Sequence, residues 1–157
     1  MTEILLSRAL CDLIREAIQD LNLPCPGGDV TVPSVFNGFV KFPQQESDGF
    51  PFVLVRPISS TSDENSTSVE VGISICAYYE LKDDGEYVDG YEEAMNVASR
   101  IRNALFDLPN GCLAECYVLS LPMRIVVGEE QAHPYWQVDM TTSWTFRVPE
   151  VTNWSEE

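Results

Sequence analysis

"HPYWQVDMTTSWTFRVPE", residues 133–150, decides the fold. Val138, Met140, Thr142, Trp144, Phe146 and Val148 fall on one side of a two-residue period, and Gln137, Asp139, Thr141, Ser143, Thr145 and Arg147 on the other. Alternation of that kind marks a β-strand half buried against a core. Ten steps at ~3.3 Å make the strand ~33 Å long, well past the usual strand. Trp136 and Trp144 share a parity but stand roughly 26 Å apart along it. They cannot close around one small ligand, so the stretch builds a wall.

A second alternating run, "VEVGISICAYY" at 69–79, has the same character. Val69, Val71, Ile73, Ile75, Ala77 and Tyr79 face one way, and Glu70, Gly72, Ser74, Cys76 and Tyr78 the other. Further strands are expected at about 37–43 and 50–58, where Pro51 and Pro57 suggest strand ends or an edge position. Another is expected at about 113–127, interrupted at Pro122, and the opening strand spans about 136–148. The polar "SSTSDENSTS" (59–68) reads as a long mobile loop at the tip of an antiparallel hairpin between 50–58 and 69–79.

Two helices complete the pattern. Over 3–22, Ile4, Leu5, Ala9, Leu13, Ala17 and Leu21 form an apolar stripe widened by Leu6, Leu10, Ile14 and Ile18. "PCPGG" then stops the helix. Over 90–108, Ala94, Ala98, Ile101, Leu105 and Leu108 form a narrow seam, and Asp89 with Glu92 approximates a capping box. Glu92 and Glu93 in the first turn, with Arg100 and Arg102 later, suit the helix dipole. The order helix, strands, helix, strands points to a single α+β domain over 1–157. Its sheet is mainly antiparallel or mixed, with two α-helices packed on one face and a short acidic tail at 149–157.

The chain has 157 residues, 45% of them hydrophobic, which suffices for a packed core. No apolar run approaches the ~20 residues of a membrane span, and Glu3 precedes the first apolar run where a secretory signal has a basic patch. A protein made and kept in a cytosol is expected. Cys11, Cys25, Cys76, Cys112 and Cys116 are then read as free thiols. With 25 acidic against 9 basic side chains the net charge is −16, which repels phosphate backbones.

Little in the chain points to catalysis. His133 is the single imidazole, and "GISIC" at 72–76 lacks the closing glycine of a nucleophile elbow and lies in a strand. Cys112 and Cys116 stand ~13 Å apart if that segment is extended, too far to share a zinc ion, though a turn would bring them together. Asp83, Asp84, Glu86 and Asp89 do not follow the calcium-loop order. No catalytic residue, metal or cofactor is expected. Tyr135, Trp136, Trp154, Tyr78 and Tyr87 exceed what one side of a small sheet needs. For Trp136 and Trp154, subunit contact stands beside core packing.

"FPFVLVRPIS", "VEVGISICAYYE", "DGYEEAMNVASRIRNALF" and "PYWQVDMTTSWTFRVPE" together resemble the small tail terminator, or tail completion, proteins of long-tailed bacteriophages and prophages. The likeness spans roughly 36–150, with the N-terminal helix placed as in that family. It implies a non-enzymatic virion protein, assembled in the host cytoplasm and residing at the head-proximal end of the tail. Its implied partners are copies of itself in a hexameric ring, the tail tube protein and a head-completion or connector protein. DNA would pass through without specific binding.

Acidic side chains in expected loops, Asp63, Glu64, Asp83, Asp84, Glu86, Asp89, Glu129 and Glu130, would line the channel or meet an adjoining ring. Carboxylates around a bore repel phosphate within the ~8 Å screening length of cellular salt. Another neck or connector ring component is the alternative within this class. An acidic DNA mimic is the alternative outside it, and the nearly balanced charge of the second helix weighs against that.

Overall fold

The computed structural model describes residues 2–39, 49–80 and 89–147. In chain order these form α1 (Glu3–Ile18), β1 (Leu23–Pro24), β2 (Val30–Thr31), β3 (Ser34–Asn37), β4 (Phe52–Ser62), β5 (Ser66–Tyr78), α2 (Asp89–Phe106), β6 (Cys112–Leu113), β7 (Tyr117–Val127) and β8 (Tyr135–Arg147). Six strands make one sheet in the order β3-β4-β5-β8-β7-β6, and β1 pairs with β2 apart from it. All pairings in the large sheet are antiparallel except β3 with β4. The architecture is α+β, with both helices on one face.

The two alternating runs form the centre. β5 and β8 pair without interruption from Ser66↔Arg147 to Tyr78↔Tyr135. Val69, Val71, Ile73, Ile75 and Ala77 are buried beside Trp136, Val138, Met140, Thr142, Trp144 and Phe146, so one face of both strands is continuous core. Each large apolar side chain fully buried there stabilises the fold by ~1.5–3 kcal/mol. A buried polar chain on this face is satisfied. Trp144 Nε1 donates to Thr142 Oγ1 at 2.8 Å, and that hydroxyl donates to the Val71 carbonyl at 3.1 Å.

The helices cover this face. α1 buries Leu6, Leu10, Ile14 and Ile18, the set expected only to widen its stripe, whereas Ile4 and Leu5 remain exposed. The apolar arc of α1 is wider than its contact, and the sheet selects the part that is covered. α1 ends at Ile18 rather than residue 22. Thr2 caps it by accepting from Leu5 N at 3.1 Å. The Tyr117 hydroxyl holds the same end to the sheet, donating to Thr2 O at 2.9 Å and accepting from Thr2 N at 3.1 Å. α2 buries Ala94, Val97, Ala98, Ile101 and Leu105, largely as the seam predicts. Beyond α1, Asp20 accepts from both Nη atoms of Arg100, at 2.8 and 3.2 Å, and ties the helices together at the surface.

Three expectations need correction. First, 59–68 is not a long loop. β4 runs to Ser62 and β5 begins at Ser66, leaving a three-residue turn, Asp63–Asn65. Serine and threonine carry no apolar alternation to reveal a strand, but their cross-strand partners do: Ser62 and Thr67 hydroxyls lie 2.8 Å apart. Asp63 Oδ1 accepts from Asn65 N at 2.7 Å and Ser66 N at 2.9 Å, which fastens the turn.

Second, the described strand just before β4 is Ser34–Asn37, parallel to its start; of the expected 37–43, Asn37 belongs to it and Gly38 and Phe39 do not. Residues 40–48 lie outside the described residues. β3 covers β4 only as far as Val55, so Pro57, which has no N–H to offer, falls where that flank of β4 is bare of β3. Third, 113–127 is broken by a turn at 114–116 as well as by a register shift between Ser120 and Arg124 around Pro122. Ala114 and Glu115 adopt positive φ there, 51° and 63°. No glycine announces that turn.

Candidate functional site

The acidic candidates divide between two ends of the sheet. Asp63 and Glu64 occupy the β4–β5 turn, at the end where Ser66 pairs with Arg147. Glu129 and Glu130 occupy the β7–β8 turn, at the end where Tyr78 pairs with Tyr135. Twelve residue steps at ~3.3 Å put these ends ~40 Å apart. One subunit therefore cannot bring both pairs to one point. Asp83, Asp84, Glu86 and Trp154 lie outside the described residues, as does the side chain of Asp89. The flanks of that loop, Glu80 and Gly90, adjoin the Glu129–Glu130 end through Trp136.

Trp136 is not an exposed contact residue. It is 4% exposed, and its Nε1 donates to Tyr79 O at 3.3 Å. Gly90 lies flat against the indole, so a Cβ there would come within 2.2 Å of Nε1. The glycine of "DGY" is thus the residue that lets α2 start directly on the tryptophan. Nothing local in the sequence joins positions 90 and 136. Tyr78 and Tyr135, expected among the exposed aromatics, are half-buried in a ring cluster with Phe36, Phe50 and Phe52, at centroid distances of 4.7–5.9 Å.

That cluster lies at one end of the sheet face that no helix covers. It buries Cys76, whose thiol is pushed up to about 12 by desolvation and, secondarily, by Asp139. A thiol that far above neutrality stays protonated and is a poor nucleophile. Ser74, the serine of "GISIC", lies mid-strand, with its hydroxyl donating to Asp139 Oδ1 at 2.8 Å. Gln137 Nε2 donates to both oxygens of the same carboxylate. The arrangement ties three side chains into a strand-face network in which the serine hydroxyl is engaged by a carboxylate.

The middle of this open face is a shallow trough. A hollow of about 320 Å³ is lined by residues including Leu54, Arg56, Ile58, Gly72, Ser74 and Thr141. Arg56 pairs with Gly72, and Arg124 with Thr141, across the adjacent strands. The two arginines thus flank one row of the sheet, three strand spacings or ~14 Å apart. Ile58, the extra residue of a register shift, lies over Gly72, where a Cβ would meet its Cδ1 at 2.9 Å. Arg56 also lies 5.7 Å from the ring centroid of Phe39, itself 80% exposed. On the far side of the molecule a hollow of about 350 Å³ between the helices is lined by Leu13, Glu16, Ala17, Ala104, Asp107, Leu108 and Pro109.

Electrostatics follow from this placement. Asp63's carboxyl is held below its ordinary value by the Asn65 and then the Ser66 amide. Its contribution to the turn is therefore present above the ordinary carboxylate range and lost as pH falls through the lowered value. Asp20 is likewise lowered, first by Arg100. Among the described residues no three His, Cys, Asp or Glu side chains gather as metal ligands. The turn at 114–116 removes the extended spacing assumed for Cys112 and Cys116, but supplies no third ligand there. No described helix is long and apolar enough to cross a membrane.

Comparison with family models and with curated protein sequences finds no match to this chain.

Proposed function

We propose that the chain is a structural subunit of a phage or prophage tail, which caps the tail tube as a ring and offers the surface on which the head joins. The resemblance of "FPFVLVRPIS", "VEVGISICAYYE", "DGYEEAMNVASRIRNALF" and "PYWQVDMTTSWTFRVPE" to tail terminators motivates the reading. The observation that carries it is the separation of Asp63 and Glu64 from Glu129 and Glu130 by the full length of a long, stiff hairpin sheet. A capping subunit has two different neighbours, tube below and connector above. An element with charged turns at both ends suits that position, because charge matching sets register and rejects wrong partners more than it adds affinity.

Carboxylates that come to face the bore would keep DNA from adsorbing as it passes. The reading needs no reacting group. Consistent with it, the Cys76 thiol is buried with its pKa raised and the Ser74 hydroxyl donates to Asp139.

The test is tube length. Purified chain added to polymerising tube protein should give short tubes of limited length, each with a density at one end in negative stain. Tubes that grow as they do alone would remove the terminator reading. Particles lacking this chain should carry overlong or headless tails, and normal tails of uniform length would count against it equally.

A further inference from the structure

The two edges of the large sheet are finished differently. β3, at one edge, is four residues long, and α1 lies beside it, with Arg15 Nη2 donating to the Val35 carbonyl at 3.0 Å. Towards the other edge runs the eleven-residue β7, of which β6 covers only Tyr117 and Val118. Among the described residues, no strand pairs with the outer side of β7 from Leu119 to Val127. Val118, Leu121, Val126 and Val127 are 37–64% exposed, and Arg124 is the strand's only charge. A long apolar strand with unpaired N–H and C=O groups along one side is a template on which another strand can add.

The template is interrupted at its middle. Ser120 pairs with Ser143 and Arg124 with Thr141, so Leu121, Pro122 and Met123 together stand opposite Thr142, where a regular ladder has one residue. The two extra residues preserve the two-residue phase: Leu119 and Ile125, on either side, both pack against the core. Leu121 shares their parity but is thrown outward, 64% exposed. Pro122 beside it has no N–H to offer a strand on either side. The bulge divides the bare edge into residues 119–120 and 124–127, each shorter than the usual strand of ~5–6 residues.

We infer that the Pro122 bulge guards the outer edge of β7, keeping a second copy from adding its own β7 there. Two copies related by a twofold axis would otherwise align the strand antiparallel with itself, apolar side chain beside apolar side chain. An edge shaped to receive a strand would be continuous, since each further residue in register adds backbone hydrogen bonds and a cross-strand pair. Here the edge loses its register at mid-strand, while the pairing to β8 resumes in phase beyond the bulge. β3 needs no such interruption, because it is short and Arg15 occupies a carbonyl on it. The inference stands apart from the capping function, because it concerns a contact the chain avoids.

Deletion of Leu121 and Pro122 from the full chain tests this, because it restores one residue opposite Thr142 and leaves the phase intact. By light scattering, the deletion variant should associate at a concentration at least tenfold lower than the unmodified chain does. Hydrogen exchange should show newly slowed amides among residues 124–127 in the associated form. Adding Val126→Lys to the deletion places a charge on the edge and should return association to the level of the unmodified chain. In the dilute unmodified chain, the outward amides among residues 124–127 should exchange freely, since only alternate ones face β8. If circular dichroism shows the deletion variant to be unfolded, Pro122→Val, which returns an N–H at constant chain length, takes its place with the same expected results.

A folded variant that associates no more readily than the unmodified chain overturns the inference. So does association that Val126→Lys leaves unchanged, or that slows no amide at 124–127, since the contact would then lie elsewhere. Uniform protection of 124–127 in the dilute unmodified chain would show that another segment already covers the edge, and overturns it too. All of these measurements are made without tube protein, so none of their outcomes bears on the capping function.

Discussion

The two faces of the central sheet are made by the same strands and differ only by one residue of phase. On the covered face, Val71, Ile73, Met140 and Trp144 are each no more than 1% exposed, and the polar atoms of Thr142 and Trp144 satisfy one another. On the open face, Gly72, Ser74, Thr141 and Ser143 leave a low surface bordered by arginines and by a few exposed apolar groups. One face holds the fold together and tolerates little change. The other buries Phe52 and Cys76 under the ring cluster at one end and leaves its middle open to solvent. A single two-residue period therefore separates a fully covered face from a partly open one along one pair of strands.

Mutations on the covered face should break this contrast most visibly. Trp144→Ala removes the largest fully buried side chain among the described residues and leaves a cavity, so a loss of ~3–5 kcal/mol is expected in urea unfolding, enough to threaten folding. Thr142→Val keeps the shape but leaves the indole N–H of Trp144 without its acceptor. An intermediate loss of ~1–3 kcal/mol is expected by the same measurement, and a neutral result would mean that the buried hydrogen-bonded chain is dispensable.

Gly90→Ala tests the contact between α2 and Trp136. Its Cβ has no room against the indole, so overpacking should cost ~1–3 kcal/mol, offset in part by the ~1 kcal/mol that alanine gains over glycine in a helix. A stabilised variant would show that the helix start can shift at no cost. At the low end, Arg124→Ala on the open face should move the unfolding midpoint by no more than about 0.5 kcal/mol equivalent. A larger drop would give the open middle of that face a share in stability and blur the distinction.

The open face was partly visible beforehand. Alternation places Glu70, Ser74, Asp139 and Arg147 opposite the core without reference to any coordinate. What alternation cannot show is which strands lie beside one another, and hence that Arg56 and Arg124 border a common row. Likewise, the Ser/Thr-rich 59–68 has no apolar phase, so its strand character appears only when β8 is present to extend the ladder. The turn at 114–116 uses alanine and glutamate at positive φ, residues that carry no turn signature. By sequence Trp136 suits a core and an interface equally, and its burial depends on Gly90, distant in the chain, lying against it.

Sequence by itself determined the local periods: two helices with one apolar side each, two long half-buried strands, and an acid excess held mainly in turns. These follow from interactions within a few residues, where 3.6- and 2-residue spacings decide which side chains share a surface. Tertiary structure alone decided the strand order, the part of the α1 stripe that is covered, and the burial of Trp136. Those depend on contacts between distant segments, whose choice is made by packing and closure of the whole domain and leaves no mark at any one position.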